Sequence, residues 1–392
     1  MTYSPFRHIP SILWKRSPIH LTFFLTRRCN SRCPFCFYLS KKKNPPPYAK
    51  GGNTPLTPLD RGELSPPLEK GDIGGFFNKT SSELSLDEIE KISSSLGSLL
   101  WLAFSGGEIF LRDDIVEITK IFYERNKPAI ILFPTNGLLT DVIGEKIEAV
   151  LNYCKKSTIV VKLSLEGMEE LHDSIRGTRG SFQKTMQTYN ALRELLEMYP
   201  NFDLGVNTVF NSENQGHMDE LIGFVNGLDG IRTHTVSLIR GKVSDQRLKD
   251  IDVGKYQETI NRMALNSKNK VSSIYRFKGA RLKAAQDILQ RRLIHETIVK
   301  KKQVIPCYAG RLNLVITESG DVYPCESFNM KMGSVRKDSY DLNKILKSEQ
   351  AQDIIRSIRS KGCYCTHECY MMTNILFNPV LYPALMKEYM QL

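Results

Sequence analysis

The chain has 392 residues, 41% hydrophobic and 24% charged, which suits a folded globular protein and excludes wholesale disorder. No apolar run approaches the roughly eighteen residues of a membrane-spanning helix, and the opening MTYSPFRHIPSILWKRSP lacks a signal-peptide core, so a cytoplasmic protein without a membrane span is expected. A net charge of +12 suggests an anionic partner, and nine Cys in a reducing compartment suggest metal or catalysis more than disulfides.

An N-terminal segment, 1–17, precedes the first strand, HLTFFLT (20–26). Residues 41–77 then hold seven of the 18 Pro and six of the 26 Gly, in imperfect copies of one unit (PPPYAKGGN, TPLDRGE, PPLEKGDIGG). Such density keeps neither helix nor ladder, so a disordered surface insertion is expected, with a lid over the site as the alternative. Ser85 and Glu88 form a capping box that opens a helix. Further strands are read at 99–104, 129–133, 158–165, 202–210 and 231–239. Helices between them start at Thr140, with Ile143, Ile147, Val150 and Leu151 on one face, and at Ser181, running to Met198. The alternation predicts an α/β fold, a partial (β/α)6 TIM-like barrel over 18–240, with its site at the carboxyl ends of the strands.

Residues 241–306 read as a basic helical bridge. Within it, 270–303 carry ten Lys or Arg against two acids, +8 of the net +12. A helix from Ala280 places Leu282, Ala285, Ile288, Leu289 and Leu293 on one stripe. Its cations form either a solvated face or a wall beside an anionic ligand, with Arg281, Arg291 and Arg292 as the residues to neutralise. Residues 307–392 form a small C-terminal domain in which LNLVIT and DVYP make a β-hairpin, followed by helices.

Four motifs sit at predicted strand ends. Cys29, Cys33 and Cys36 follow the first strand as C-x3-C-x2-C, with Phe35 before the last Cys. Three thiolates on one loop suit a [4Fe–4S] cube with one open iron; zinc is the alternative. Ser105-Gly106-Gly107-Glu108 ends the second strand, Thr135-Asn136-Gly137 the third, and Ser164-Leu165-Glu166-Gly167 the fourth, with HDSIRG (172–177) beyond. In this order they resemble the radical SAM superfamily over 18–240. The resemblance implies that the GGE segment meets the amino group of S-adenosyl-L-methionine. It also implies that Ser164 and Arg176 meet its ribose or carboxylate, and that Thr135 and Asn136 lie at the cofactor. Asn207 is a ribose or adenine candidate by position. Glu166 stands where the family usually has Asp, so its role is open.

Cys154 stands alone and reads as an ordinary thiol. Cys307, Gly320 and Cys325, then Cys363, Cys365 and Cys369, resemble a SPASM/twitch-type auxiliary iron–sulfur domain. Five Cys imply one auxiliary [4Fe–4S] cluster: Cys307, Cys325 and Cys369, with Cys365, or alternatively Cys363, as the fourth ligand. A zinc knuckle using His367 is the other donor chemistry. Glu326 matches an acidic residue that acts as catalytic base in some relatives. The implied activity is reductive cleavage of S-adenosylmethionine and hydrogen abstraction, leading to oxidative modification of a peptide or protein side chain. The implied partners are a peptide or small-molecule substrate, anionic if the basic bridge borders the cavity, and a reducing protein such as flavodoxin or ferredoxin. A small-molecule dehydrogenase or cofactor-biosynthesis enzyme is the alternative. An iron–sulfur sensor or electron carrier would not need the strand-end motifs, and no RNA-binding module accompanies the basic segment.

Overall fold

The computed structural model describes residues 2–15, 17–39, 82–272, 274–360 and 363–392; the 41–77 insertion lies outside them. Six parallel strands alternate with helices: β1 (His20–Thr26), β2 (Trp101–Gly106), β3 (Ile130–Thr135), β4 (Thr158–Ser164), β5 (Phe202–Phe210) and β6 (Ile231–Leu238). The covering helices are α1 (Leu86–Ser94), α2 (Ile115–Asn126), α3 (Thr140–Tyr153), α4 (Glu169–Arg176), α5 (Ser181–Met198) and α6 (Met218–Gly227). The Ser85 box forms with both arms: Glu88 N donates to Ser85 Oγ at 3.3 Å, and Ser85 N to Glu88 Oε2 at 2.9 Å.

Strand side chains alternate as a period of two requires. On β4, Ile159, Val161 and Leu163 enter the main apolar core, while Lys162 and Ser164 line a cavity on the other face. On β5, Phe202, Leu204 and Val206 are in the core and Asn207 lines the cavity. The sheet stays open, a partial barrel with strand order β6-β5-β4-β3-β2-β1.

Beyond β6 come α7 (Val253–Lys268) and α8 (Ala280–Lys300). The expected stripe of α8 is buried at Ala285, Ile288, Leu289 and Leu293 and half-buried at Leu282, as α8 packs on α7 and on two later helices. The C-terminal hairpin, β7 (Asn313–Ile316) with β8 (Asp321–Tyr323), forms as expected, turning at Gly320 with φ +85°. It does not stand apart, however. β7 pairs in parallel with β1, from His20–Asn313 to Phe23–Ile316, so the hairpin and β9 (Gly333–Ser334) extend one nine-stranded sheet. The remaining helices are α9 (Leu342–Lys347), α10 (Glu349–Ser360), α11 (Glu368–Leu376) and α12 (Tyr382–Met390), and both α11 and α12 pack on α8. Among the described residues, no helix is long and apolar enough to cross a membrane.

Candidate active site

One cavity of about 350 Å³ is lined by the strand-end motifs, the first Cys loop and part of the second Cys region. Cys29, Cys33 and Cys36 all border it from the loop after β1. The loop turns on Cys36 N donating to Cys33 O at 3.1 Å. Polar groups approach the sulfurs: Ser31 Oγ lies 3.1 Å from Cys33 Sγ, and Leu39 N donates to Cys36 Sγ at 3.4 Å. Burial, then the neighbouring Cys33, pushes the Cys29 thiol up. Cys29 and Cys33, whose thiols burial pushes up, suit a positive centre that takes them as thiolates, and with Cys36 on the same loop the donor set fits an iron–sulfur cluster. Among the described residues, a side-chain N–H of Asn30, next to Cys29, is buried without a protein partner and is free to donate to a bound group.

Gly106 and Gly107 are bare because of the Cys loop. A Cβ on Gly107 would lie 1.9 Å from Arg28 O, and one on Gly106, where φ is +129°, 2.4 Å from Thr26 O. The two segments are zipped by Gly107 N to Thr26 O and Glu108 N to Arg28 O, both at 2.8 Å. The bare positions let β2 approach the loop closely.

Glu108 is buried, and both its carboxylate oxygens accept from the third strand's motif: Thr135 Oγ1 donates to Oε1 at 2.9 Å, Asn136 N to Oε2 at 2.8 Å. Burial raises its pKa despite these bonds. Its first task is to tie the ends of β2 and β3 together. Asn136 Nδ2 then reaches Asn30 Oδ1 at 2.7 Å, joining β3 to the Cys loop.

Ser164 and Asn207 are register partners on β4 and β5 and both face the cavity. Glu166, whose role was open, is fully buried; it pairs with Arg176 Nη1 at 3.2 Å and accepts from Val209 N at 2.7 Å. Arg176 thus reaches the cavity with one side held, its guanidinium 5.8 Å from the Phe35 ring. Burial opposes its charge, but Cys33 and Glu166 outweigh that and strengthen it. The rest of HDSIRG is structural. Asp173 accepts from Ser181 Oγ and Phe182 N, each at 2.8 Å, capping α5 from a distance, and His172 Nδ1 accepts from Glu166 N at 3.0 Å.

The second Cys region borders the same cavity through Glu326, His367, Glu368 and Cys369. Cys307, Cys325 and Cys369 pack around one apolar group that includes Tyr370 and Ala309. Burial, then smaller contributions from Cys307, Cys325 and Cys363, pushes the Cys365 thiol up to about 12, although the residue as a whole is exposed. Cys363 is also exposed, and its thiol is raised by burial alone. Cys369 Sγ lies within 4.8 Å of ligand atoms of Glu326 and His367. Several buried polar atoms here lack protein partners among the described residues, including Tyr370 OH, Glu368 Oε1 and Arg240 Nε, so this pocket also fits a bound group. Cys154, expected to be ordinary, is fully buried in the main core.

Glu326 is more engaged than its sequence position indicated. Oε2 sits 3.1 Å from Arg240 Nη2 and 2.7 Å from His367 Nε2, the latter off the line a hydrogen bond needs. Although burial raises its pKa, His367 and Arg240 more than offset that, so the carboxyl is held down to about 2. A carboxylate so stabilised is a weak proton acceptor.

Sequence reasoning missed Arg240, which bridges Glu326 and, at 3.4 Å, Glu368. Its signal was an Arg two residues past β6, where a domain border was drawn. It also missed Lys162, which lines the cavity together with Lys283, one of the ten cations of the bridge segment. The three arginines singled out in the bridge do not line this cavity. Arg281 Nε donates to Tyr389 O at 3.2 Å, Arg292 pairs with Glu388, and Arg291 Nη2 donates to His234 O at 3.3 Å.

Comparison with known proteins finds two domain matches. The radical SAM superfamily model matches residues 23–225, and the SPASM model, an iron–sulfur cluster-binding domain, matches 307–370. The antilisterial bacteriocin subtilosin biosynthesis protein AlbA of Bacillus subtilis is 26% identical over 333 residues, 83% of this chain. The chain spans only 59% of AlbA's length. An AdoMet-dependent heme synthase of Methanosarcina barkeri is 23% identical, covering 84% of this chain and 82% of the synthase. Among solved structures, anSMEcpe with bound AdoMet and the Cp18Cys peptide superposes with a TM-score of 0.55 at 15% identity, over 95% of this chain and 96% of that one.

Proposed function

The chain belongs to the radical SAM superfamily, and on that premise we propose that it cleaves S-adenosylmethionine reductively and oxidises a peptide or protein side chain. The observation that carries this reading is the single cavity shared by the first Cys loop, the strand-end motifs and the second Cys region. Thiolates of Cys29, Cys33 and Cys36 would hold the [4Fe–4S] cluster, which supplies the electron that turns S-adenosylmethionine into a hydrogen-abstracting radical. Arg176, braced by Glu166, offers its guanidinium to the methionine carboxylate. Ser164 and Asn207 offer hydroxyl and amide groups to the ribose or adenine. Glu108 keeps Thr135 and Asn136 in place beside them.

Cys307, Cys325, Cys369 and Cys365 would hold the auxiliary cluster, an acceptor for the electron left on an oxidised product. Electron acceptance favours oxidation over a redox-neutral transfer. Glu326, as a paired carboxylate, serves better to fix Arg240 and His367 at the cavity wall than to take a proton. The bacteriocin biosynthesis protein among the relatives and the peptide-bound structural neighbour favour a peptide substrate. A second reading, cofactor biosynthesis, is favoured by the heme synthase, which matches over most of its own length. The test is anaerobic: cluster-reconstituted protein with dithionite and S-adenosylmethionine should release 5′-deoxyadenosine. Iron-loaded protein that releases none refutes the reading.

A further inference from the structure

The cavity floor carries a feature that S-adenosylmethionine does not need. Lys162 is nearly fully buried in mid-β4. It shares a strand face with Ser164, roughly 6.6 Å further down the strand. Its ammonium donates to Thr233 Oγ1, to Thr235 Oγ1 at 3.2 Å and to Thr233 O at 3.4 Å. All three acceptors are neutral.

The other cavity cations have carboxylate partners. Arg176 pairs with Glu166, Arg240 with Glu326 and Glu368, and Lys283 with Asp287. Among the described residues, Lys162 has no ion pair. A buried ammonium without a counter-charge is unfavourable and gives up its proton readily, and an anion placed beside it restores the charged form.

The surroundings are shaped for it. Gly205, its register partner on β5, has no side chain where one would collide: a Cβ there would lie 2.8 Å from Lys162 Nζ and 2.6 Å from Thr233 Oγ1. The Tyr275 ring, also on the cavity wall, lies 5.6 Å from the ammoniums of both Lys162 and Lys283. Both ammoniums therefore lie against one aromatic ring, and Asp287 is paired with Lys283.

We propose that this floor is an anchor for a carboxylate of the substrate, with Lys162 as its counter-ion and Lys283 as the second cation. It rests on reading the cavity as the substrate site. The carboxylate belongs to an acidic residue of a peptide or to a small carboxylated molecule; the chemistry at Lys162 is the same for both. An anchor below the S-adenosylmethionine level would hold the substrate's far end while a carbon nearer Ser164 meets the radical.

The test is calorimetric, on reconstituted holoprotein at constant ionic strength. Saturating S-adenosylmethionine keeps the Arg176 fork occupied. The probes are glutarate, its neutral diamide glutaramide, and acetyl-Ala-Glu-Ala-amide. Wild type should bind at least one carboxylate probe and not the diamide, and Lys162→Met should weaken that binding about tenfold or more. Gly205→Ala keeps the lysine but fills its niche, and should weaken binding as well. It gives the same readout if Lys162→Met does not fold. Tighter binding of the peptide assigns the carboxylate to a peptide substrate; tighter binding of glutarate assigns it to a small molecule. Absence of carboxylate binding in wild type, equal binding of the diamide, or unchanged affinity in both variants overturns the proposal. Release of 5′-deoxyadenosine is measured in the same wild-type preparation. Its absence sinks the enzymatic reading, whereas its presence without carboxylate binding sinks only the anchor.

Discussion

Gly107→Ala tests how the cluster loop is held. A Cβ at 107 would sit 1.9 Å from Arg28 O and 2.6 Å from Arg28 C. Ordinary contact begins near 3.4 Å, so the loop must retreat by roughly 1.5 Å in a close-packed interior. Both obstacles are backbone, and Arg28 O is fixed by Glu108 N at 2.8 Å, so no side chain can swing aside. Overpacking of this kind costs about 1–3 kcal/mol. The larger effect is on chemistry, because a displacement of about 1 Å at a reacting geometry can lower a rate about 100-fold. Gly144→Ala in α3 is the control: its Cβ would meet nothing within 4 Å, and it should gain about 0.5–1 kcal/mol from helix propensity. Denaturant melts, iron content after reconstitution and 5′-deoxyadenosine release are compared for the three proteins. A Gly107→Ala protein with wild-type stability and wild-type release refutes the claim that the loop and β2 are locked together.

Three further outcomes are expected. Cys29→Ala should abolish S-adenosylmethionine cleavage, while Cys325→Ala should spare it, stop product oxidation and lower iron from about eight to about four per chain; the reverse pattern contradicts the division of labour. Glu166→Gln leaves the Arg176 fork without its counter-charge and should weaken S-adenosylmethionine binding roughly tenfold, so equal affinity by equilibrium dialysis would show that the pair does not orient the fork. Burial, then the Lys283 charge, lowers the Lys162 pKa from 10.5 to about 7. Between those values the unfolded chain binds the extra proton, so wild-type stability rises with pH across that window. Lys162→Met, which titrates in neither state, should be the more stable protein below pH 7, by at most about 5 kcal/mol, with the gap closing towards pH 10.5. Parallel stability curves for the two proteins would contradict the burial argument.

The elements that sequence located best are those with local causes. β1 and β5 begin and end where their apolar runs do, and the Ser85 box is set by two residues three apart. β2 is displaced along the chain from its apolar run because its last residues are strand only through tertiary pairing, Ser105 with Phe24 and Gly106 with Thr26. The pairing of β7 with β1 joins segments almost three hundred residues apart, and no local pattern encodes it. The site divides in the same way. Motif residues such as Cys29, Asn136 and Arg176 could be read because they cluster in short runs at strand ends. Arg240 and Lys162 act through partners on other strands and helices, so neither has a signature of its own.

The charge illustrates why partners matter more than counts. Residues 270–303 of the bridge supply +8 of the chain's +12 and first pointed to Arg281, Arg291 and Arg292. In the fold, Glu388 on α12 neutralises Arg292 and Lys268, and Arg281 lies against the Tyr389 ring with its centre at 4.6 Å. These cations fasten the C-terminal helix to α8 and α7. Lys283 turns the other way and reaches the cavity, where Lys162, from a strand with no excess of charge, meets it across Tyr275. A long-range field from the bridge would be screened within about 8 Å at physiological salt. Two ammoniums inside a desolvated cavity are screened far less. Specificity for an anion therefore follows from where β4 and α8 converge, and neutralising surface arginines of the bridge would leave it in place.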